Sequence, residues 1–231
     1  MGHFFVLKSM QLIKTFSTKA FFLVALCLGA WAYYPGLSGG FVFDDVLNIS
    51  TNDHLKINQF AIEDLLQASW SSYSGPLQRP IAMFSFAVNQ IFTGMNPWWM
   101  KRTNLLIHIA NTAILLFFCK ELFRRINLKE GSISKVTPYI ISGIWLVHPI
   151  NVTAVSYIVQ RMASLSGTFV LLALYFYLKL RNESFEQIRA WILGSAIFIC
   201  WLLGLLAKEI AISLSLYLFA IEWCLYGFRT T

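Results

Sequence analysis

Two adjacent carboxylates, Asp44 and Asp45, follow the apolar string Phe-Val-Phe just after the first long apolar run. A carboxylate at the edge of an apolar layer is partly desolvated, which raises its affinity for a proton. A general base needs such a proton acceptor, held within hydrogen-bond reach of a hydroxyl. The pair therefore predicts acid–base chemistry, whereas the alternative is a solvated acidic pair in a loop.

A second set of charged residues lies where other apolar runs begin or end. Arg161 precedes one run, and Lys208-Glu209 separates the last two. Charged side chains so close to the hydrocarbon core are energetically costly, and they usually form an ion pair or serve a function. Outward cations at a membrane surface suit a lipid-linked phosphate. The alternative is that Arg161 and Lys208 extend to the interface, with Glu209 as an ion-pair partner.

His148 precedes Pro149 at the end of a further apolar run and is kept as a candidate contact to phosphate or acceptor. A lone histidine before a helix-breaking proline is more often a hydrogen-bonded structural residue. The four histidines are scattered without ligand spacing, and the four cysteines form no CxxC motif. The sequence predicts no metal site and no cofactor, and it leaves a metal requirement open.

The elements that position these residues are membrane spans. Of the 231 residues, 57% are hydrophobic and 13% are charged, and the apolar residues form runs near the length of about 20 that crosses a bilayer. We expect an all-α integral membrane protein of about six spans, in a single membrane domain covering residues 1–231. The predicted spans are Ala20–Leu37, Asn104–Cys119, Val136–Val147, Met162–Lys179, Ala190–Ala207 and Ile210–Tyr226. The third is short, so we expect it to extend past Pro149 or to end in a partly re-entrant segment.

The first run follows three lysines and could be a signal peptide, but it ends in Tyr33-Tyr34-Pro35 rather than at a small-residue cleavage site. We therefore predict an uncleaved span with the N-terminus in the cytoplasm. Of the 18 basic residues, twelve then lie inside, as the positive-inside rule requires. These are Lys8, Lys14, Lys19, Lys120, Arg124, Arg125, Lys129, Lys135, Lys179, Arg181, Arg189 and Arg229.

The same topology makes residues 38–102 an extracytoplasmic loop with two interfacial helices. The amphipathic stretch Phe60–Trp70 predicts one, and Ile81–Phe92, preceded by Pro80, predicts the other. The formal net charge of +7 is spread over short basic clusters between apolar runs. We therefore attribute this charge to the orientation of the spans in the membrane, and its distribution argues against nucleic acid as a partner.

Five strings in this order resemble the membrane part of the TMTC-type protein O-mannosyltransferases and their bacterial relatives. They are Phe43-Asp44-Asp45 with Asn48-Ile49, Arg79-Pro80-Ile81 leading to Ser85–Asn89, Asn104–His108, His148-Pro149 followed by Val155–Arg161, and Ala207–Ala211. Together they cover about residues 35–225. The resemblance implies a GT-C fold and transfer of a sugar from a polyprenyl-phosphate donor to a protein or glycan hydroxyl at the outer membrane face.

The resemblance also implies roles for particular residues. Asp44, the first acid of the motif, would accept the proton of the acceptor hydroxyl, and Asp45 would orient the acceptor. Arg161, Lys208 and Arg79 would neutralise the departing lipid phosphate, with Glu209, His148 and Gln160 as further donor-side candidates. The sequence does not identify the transferred sugar, and only the family resemblance suggests mannose.

The chain departs from the family pattern in two respects. Thr153 stands where many members carry an acid after the His-Pro pair, and relatives continue beyond the equivalent of Thr231 with further spans and often tetratricopeptide repeats. The alternative function is a non-catalytic membrane subunit or lipid-phosphate-binding scaffold that works through a membrane-protein partner. The bacterial relatives favour the bacterial inner membrane as the location.

Overall fold

The computed structural model describes residues 20–126, 132–181 and 187–229, and this part of the chain is helical without a β-strand. Its helices are α1 (Ala20–Ser38), α2 (Ile62–Ser69), α3 (Pro80–Thr93), α4 (Pro97–Arg125), α5 (Ser132–Val147), α6 (Val152–Ser156), α7 (Arg161–Leu180), α8 (Gln187–Ala207) and α9 (Leu214–Ile221). Short 3₁₀ turns join several of them, and π-helical turns occupy Val46–Ser50 and Glu222–Tyr226.

The expected all-α integral membrane class with about six spans is confirmed. Five segments are long and apolar enough to cross a bilayer: Ala20–Ser38, Pro97–Arg125, Ile158–Leu180, Gln187–Ala207 and Glu209–Tyr226. A sixth candidate is a bent pair of helices, Lys135–Val147 and Pro149–Ser156, which meet at 51° and form either a broken span or a re-entrant segment. The bend falls at His148, whose extended backbone is the conformation that a following proline favours.

Both helices expected between the first two spans are present. α2 and α3 pack against each other, and the rings of Phe60 and Phe92 lie 5.5 Å apart beside them. Pro80 is at the start of α3, where its missing N–H has no helical partner to lose. These helices close one end of the bundle, which we call the loop end.

The spans are arranged around α4 and α7. α4 packs against both α5 and α7, and α7 also packs against α8. The surface of the bundle is apolar, with large exposed side chains such as Leu23, Phe117 and Ile199. In a bilayer these side chains face lipid, which is as apolar as they are, so their exposure carries no penalty.

Arg161 joins the two central helices to the loop end. Its side chain is fully buried at the start of α7. Its Nε donates to Asn104 Oδ1 at 2.8 Å, and its Nη2 donates to Asn89 Oδ1 and to the Met100 carbonyl, both at 2.8 Å. A further bond from Nη1 reaches the Ser85 carbonyl at 3.1 Å, and the guanidinium lies 4.3 Å from the centroid of the Phe86 ring. One side chain thus fixes α3 and α4 against α7.

Replacing Arg161 by Met should destabilise the protein by about 3 kcal/mol or more, because the change leaves several buried oxygen acceptors without donors. The measurement is unfolding of the purified chain in mixed micelles. The matched control is Arg102→Met, which removes an exposed arginine stacked on Trp98 and Trp99 and should cost less than about 1 kcal/mol. Equal losses in the two variants would contradict the role of Arg161.

Candidate functional site

The two adjacent acids have different environments. Asp45 is fully buried. Its Oδ1 accepts a 2.7 Å hydrogen bond from the Val159 N–H, and its Oδ2 accepts a 3.2 Å bond from the Val42 N–H. Burial raises the pKa of Asp45 above its ordinary value, and these backbone bonds and the charge of Lys101 counteract the rise. Asp45 therefore anchors its own segment to the turn before α7, and it cannot contact an acceptor without rearrangement.

Asp44 is exposed beside the same turn. Its backbone N–H donates to the Tyr157 hydroxyl at 3.1 Å, and its carboxylate lies near that hydroxyl. Burial is the main cause of a raised pKa of Tyr157, so the phenol stays protonated and available as a donor. Asp44 is thus held in place through its neighbour and through Tyr157 while its carboxylate stays open to solvent. This is the arrangement that a general base requires.

A polar network continues from the acids into the loop before α3. Asn48 donates to the Asp44 carbonyl at 3.1 Å, and its Oδ1 accepts from the Ser72 and Ser74 hydroxyls at 3.2 and 3.0 Å. Asn52 donates to the Ser71 carbonyl and hydroxyl, both at 3.0 Å. The π-helical turn after the acids therefore holds the serine-rich loop, residues 71–74, against the loop end of the bundle.

The same loop leads to a group of charges formed by Arg79, Lys208 and Glu209. The Arg79 Nε donates to Glu209 Oε2 at 3.2 Å, and its Nη1 lies 3.3 Å from the sulfur of Met162. Gly75 has a positive φ of 76°, and a Cβ there would collide with Glu209 Oε1. A glycine is required at this position because the loop backbone runs directly over the carboxylate.

Lys208 is half-buried at the start of the last span. Burial lowers the pKa of Lys208, the nearby charge of Arg79 lowers it further, and Glu209 partly offsets these effects. Within the described residues its ammonium has no hydrogen-bond or ion-pair partner. Two cations side by side with one shared carboxylate leave an excess positive charge, which favours a bound anion.

The remaining predicted site residues lie elsewhere. We expected Arg161 to face outward with Lys208, but its side chain is in the interior, where α3 and α4 provide its hydrogen-bond acceptors. Gln160 is half-buried in the turn before it. His148 is exposed, and its Nδ1 accepts a bond from the Ile150 N–H at 3.2 Å, so it caps a local turn at the bend of the broken span. The contacts of His148 do not join it to Asp44 or Arg79.

Three residues that the sequence did not single out as site residues prove to position the acids. Tyr157 holds Asp44, and Lys101, nearly buried, places its charge near Asp45. Asn104 donates to the Ile158 carbonyl at 3.2 Å while accepting from Arg161, so it fixes the turn that binds Asp45. A signal was present, because Asn104 and Tyr157 fall within the motif strings. No group of three or more His, Cys, Asp or Glu residues that could hold a metal occurs in the described ranges.

The chain is therefore an all-helical membrane protein whose loop end carries an exposed acid, its positioning groups and a cationic cluster. Over 78% of its length it is 32% identical to "Protein O-mannosyl-transferase tmtc2" of Xenopus laevis, and over 76% it is 32% identical to the TMTC2 protein of Homo sapiens. It is 26% identical over 79% of its length to "Protein O-mannosyl-transferase Tmtc3" of Drosophila melanogaster. No protein-family model and no solved structure matches the chain.

These similarities confirm the resemblance of the chain to the TMTC-type protein O-mannosyltransferases. It spans about a fifth of the length of the curated relatives it matches. The names of those relatives describe protein O-mannosyl-transferases, a kind of glycosyltransferase.

The contrast between the two acids gives a stability prediction. Asp45→Asn should destabilise the protein by about 1–3 kcal/mol, because an amide directs N–H donors at one of the two backbone N–H groups that the carboxylate now accepts. Asp44→Asn should stay within about 0.5 kcal/mol of the parent, since its side chain is exposed. Unfolding in mixed micelles compares the two variants directly. If Asp44→Asn costs as much as Asp45→Asn, the division between exposed and structural acid is wrong.

Proposed function

We propose that the chain forms the catalytic membrane part of a GT-C-type glycosyltransferase, which moves a sugar from a polyprenyl-phosphate donor to an acceptor hydroxyl. The observation that carries the proposal is the loop end, where Asp44, whose carboxylate is exposed, and the guanidinium of Arg79, which lies near Lys208, both contact the segment at the start of α7. Residues Tyr157 and Val159 of the turn before α7 contact the acids, and Met162, just beyond it, contacts Arg79. The names of the curated relatives favour mannose and a protein acceptor.

In the proposed reaction the acceptor hydroxyl attacks the anomeric carbon of the donor as the bond from that carbon to the phosphate oxygen breaks. Asp44 takes the proton of the hydroxyl, and the phosphate leaves with the electron pair of the broken bond. A positioned general base contributes about 100- to 10,000-fold to such a rate. Tyr157 keeps Asp44 in place, and Asp45 acts through the backbone rather than on the acceptor.

The cationic cluster is suited to the donor side. Arg79 and Lys208 carry two positive charges against the single carboxylate of Glu209, and the Lys208 ammonium has no hydrogen-bond or ion-pair partner within the described residues. A phosphate that enters the cluster would gain charge-assisted hydrogen bonds and would separate the two cations. As negative charge develops on the leaving phosphate, these contacts strengthen, which is the condition for lowering the barrier.

We place the loop end on the extracytoplasmic side and the N-terminus in the cytoplasm, because the basic residues that precede and follow the spans favour that orientation. Residues 38–102 then form an outer loop within a single membrane domain. The expected bacterial inner membrane stays a prediction, since the named relatives come from animals. Membrane lipid and a further membrane protein are the expected partners besides donor and acceptor.

Asp44→Asn should reduce sugar transfer by about 100-fold or more, because the amide keeps the size of the side chain but cannot accept the proton. The assay is transfer of radiolabelled mannose from a polyprenyl-phosphate donor to a peptide containing serine and threonine, with the chain reconstituted in proteoliposomes. Donor binding, measured separately, should be unchanged.

The matched control is Asp53→Asn. This acid lies in the same loop, but the hydrogen bond from Lys56 lowers the pKa of Asp53, so it is a poor proton acceptor, and its side chain is exposed. The control should retain near-normal transfer. Near-normal transfer by the Asp44→Asn protein would remove Asp44 from catalysis.

Lys208→Gln should weaken binding of a polyprenyl phosphate by about tenfold or more, because one charge-assisted contact contributes about 1.5–3 kcal/mol. Binding is measured by titrating a short-chain polyprenyl phosphate against the purified chain in micelles. Lys56→Gln removes an exposed lysine from the same loop end and should leave the affinity unchanged. Equal affinities of the Lys208→Gln protein and the parent would exclude the cluster as the phosphate site.

The alternative function is a non-catalytic scaffold that binds the lipid phosphate and works through a partner. It keeps the cation cluster but needs no proton acceptor. A parent protein that binds polyprenyl phosphate but transfers no sugar with any donor would favour the scaffold.

A further inference from the structure

The end of the bundle opposite the loop end carries a second group of charges, which the proposed transfer reaction does not use. α7 begins at Arg161 in the loop end and ends with Lys179 and Arg181 at this opposite end, close to the last turn of α4. Glu121 binds Arg124 and Lys179 at 2.7 and 3.2 Å, and Glu222 lies 2.8 Å from Arg181. We call this group the inner cluster.

A shallow, open cavity of about 360 Å³ lies at the surface of the inner cluster. It is lined by Tyr177, Arg181, Glu222, Phe228 and Arg229. Glu222 is neutralised there, because Arg181 forms an ion pair with it and the Tyr177 hydroxyl donates to it. Arg181 also donates to the Arg229 carbonyl at 2.7 Å, whereas the guanidinium of Arg229 is exposed and has no hydrogen bond or ion pair with the described residues. The cavity is thus lined by one paired and one unpaired arginine.

Some hydrogen-bond donors beside the cavity also lack an acceptor. The Nη2 and Nε of Arg125 and the Tyr226 hydroxyl are buried without a hydrogen-bond partner in the part of the chain that the structure describes. The Nε is 3.8 Å from Glu121, which is too long for a hydrogen bond. The Arg181 guanidinium lies 4.6 Å from the centroid of the Tyr226 ring, so these donors are adjacent to the arginine that lines the cavity. Buried N–H and O–H groups are normally hydrogen-bonded, so these donors indicate that a ligand could supply their acceptor.

The surroundings favour a lipid over a soluble anion. Phe228 forms one wall of the cavity, its ring lies 5.5 Å from that of Phe219, and Phe219 contacts Trp223 at 5.6 Å. All three rings are more than half exposed and form an apolar strip at the outer surface of the last span. A diester headgroup in the cavity would direct its acyl chains along this strip. Basic pockets between spans at a cytoplasmic surface bind anionic headgroups in this way.

We propose that the inner cluster is a binding site for the phosphodiester headgroup of an anionic phospholipid. Arg229 and Arg181 contact the phosphate, and the aromatic strip contacts the acyl chains. The site lies at the opposite end of the bundle from Asp44 and is independent of the sugar-transfer reaction.

The test uses the chain reconstituted in nanodiscs with equal amounts of phosphatidylglycerol and phosphatidylcholine. The protein is extracted gently, and native mass spectrometry gives the ratio of the two lipids that remain bound. The parent should be enriched in phosphatidylglycerol. Arg229→Gln should lower that enrichment about fivefold, since one arginine near an anionic headgroup contributes about that factor. Arg229 makes no side-chain bond to the described residues, so its replacement should leave the unfolding transition unchanged.

The matched control is Arg189→Gln, which removes an exposed arginine from the first turn of α8, outside both the inner cluster and the lining of the cavity. It should retain the enrichment of the parent. The proposal is overturned if the parent binds both lipids equally, or if the two variants lose enrichment to the same extent. It is also overturned if soluble glycerophosphate removes the enrichment, because the cavity would then take a free phosphate.

Discussion

A buried guanidinium determines how the loop end is assembled. Arg161 is surrounded by neutral oxygen atoms and one aromatic ring, and its hydrogen-bond acceptors lie on α3 and α4. A charge removed from water is tolerated only where its donors are satisfied. The side chain therefore sets where α3 and α4 stand relative to α7. Asn104 extends the constraint, because it accepts from Arg161 and donates to the turn that receives Asp45.

This constraint explains why Asp45 is buried and Asp44 is exposed. The turn before α7 is fixed by Asn104, and its Val159 N–H is directed at Asp45, which is drawn into the interior. Because adjacent residues at the start of a helical turn point in different directions, Asp44 is left on the outside. The burial of one carboxylate thus positions the other. A sequence with one acid alone would have either an anchored loop or an exposed carboxylate at this point, but not both.

The sequence was sufficient to predict the spans and both loop-end helices, because hydropathy and amphipathic spacing are local properties. It also predicted that the short third span extends past Pro149 or ends in a partly re-entrant segment, and the structure bends by 51° at this point. It did not predict where Arg161 points or that Asp45 is buried. An arginine before an apolar run can extend to the interface or turn inward, and the choice depends on Asn89 and Asn104, which lie 72 and 57 residues away in the chain. Long-range hydrogen bonds of this kind leave no periodic signal.

The backbone next to the cation cluster is strained, which indicates that Arg79 is held in place for more than packing. Gln78 and Arg79 both have positive φ values, of 52° and 49°, although neither is glycine. Left-handed backbone costs about 1–2 kcal/mol for each such residue, so two in succession persist only where other contacts over-determine the conformation. The Glu209 ion pair and Pro80 at the start of α3 provide those contacts. A relaxed loop could still close this end of the bundle, but it would not hold the Arg79 guanidinium close to Lys208. The strained backbone thus keeps two cations together, and an anion between them would remove the repulsion that this arrangement creates.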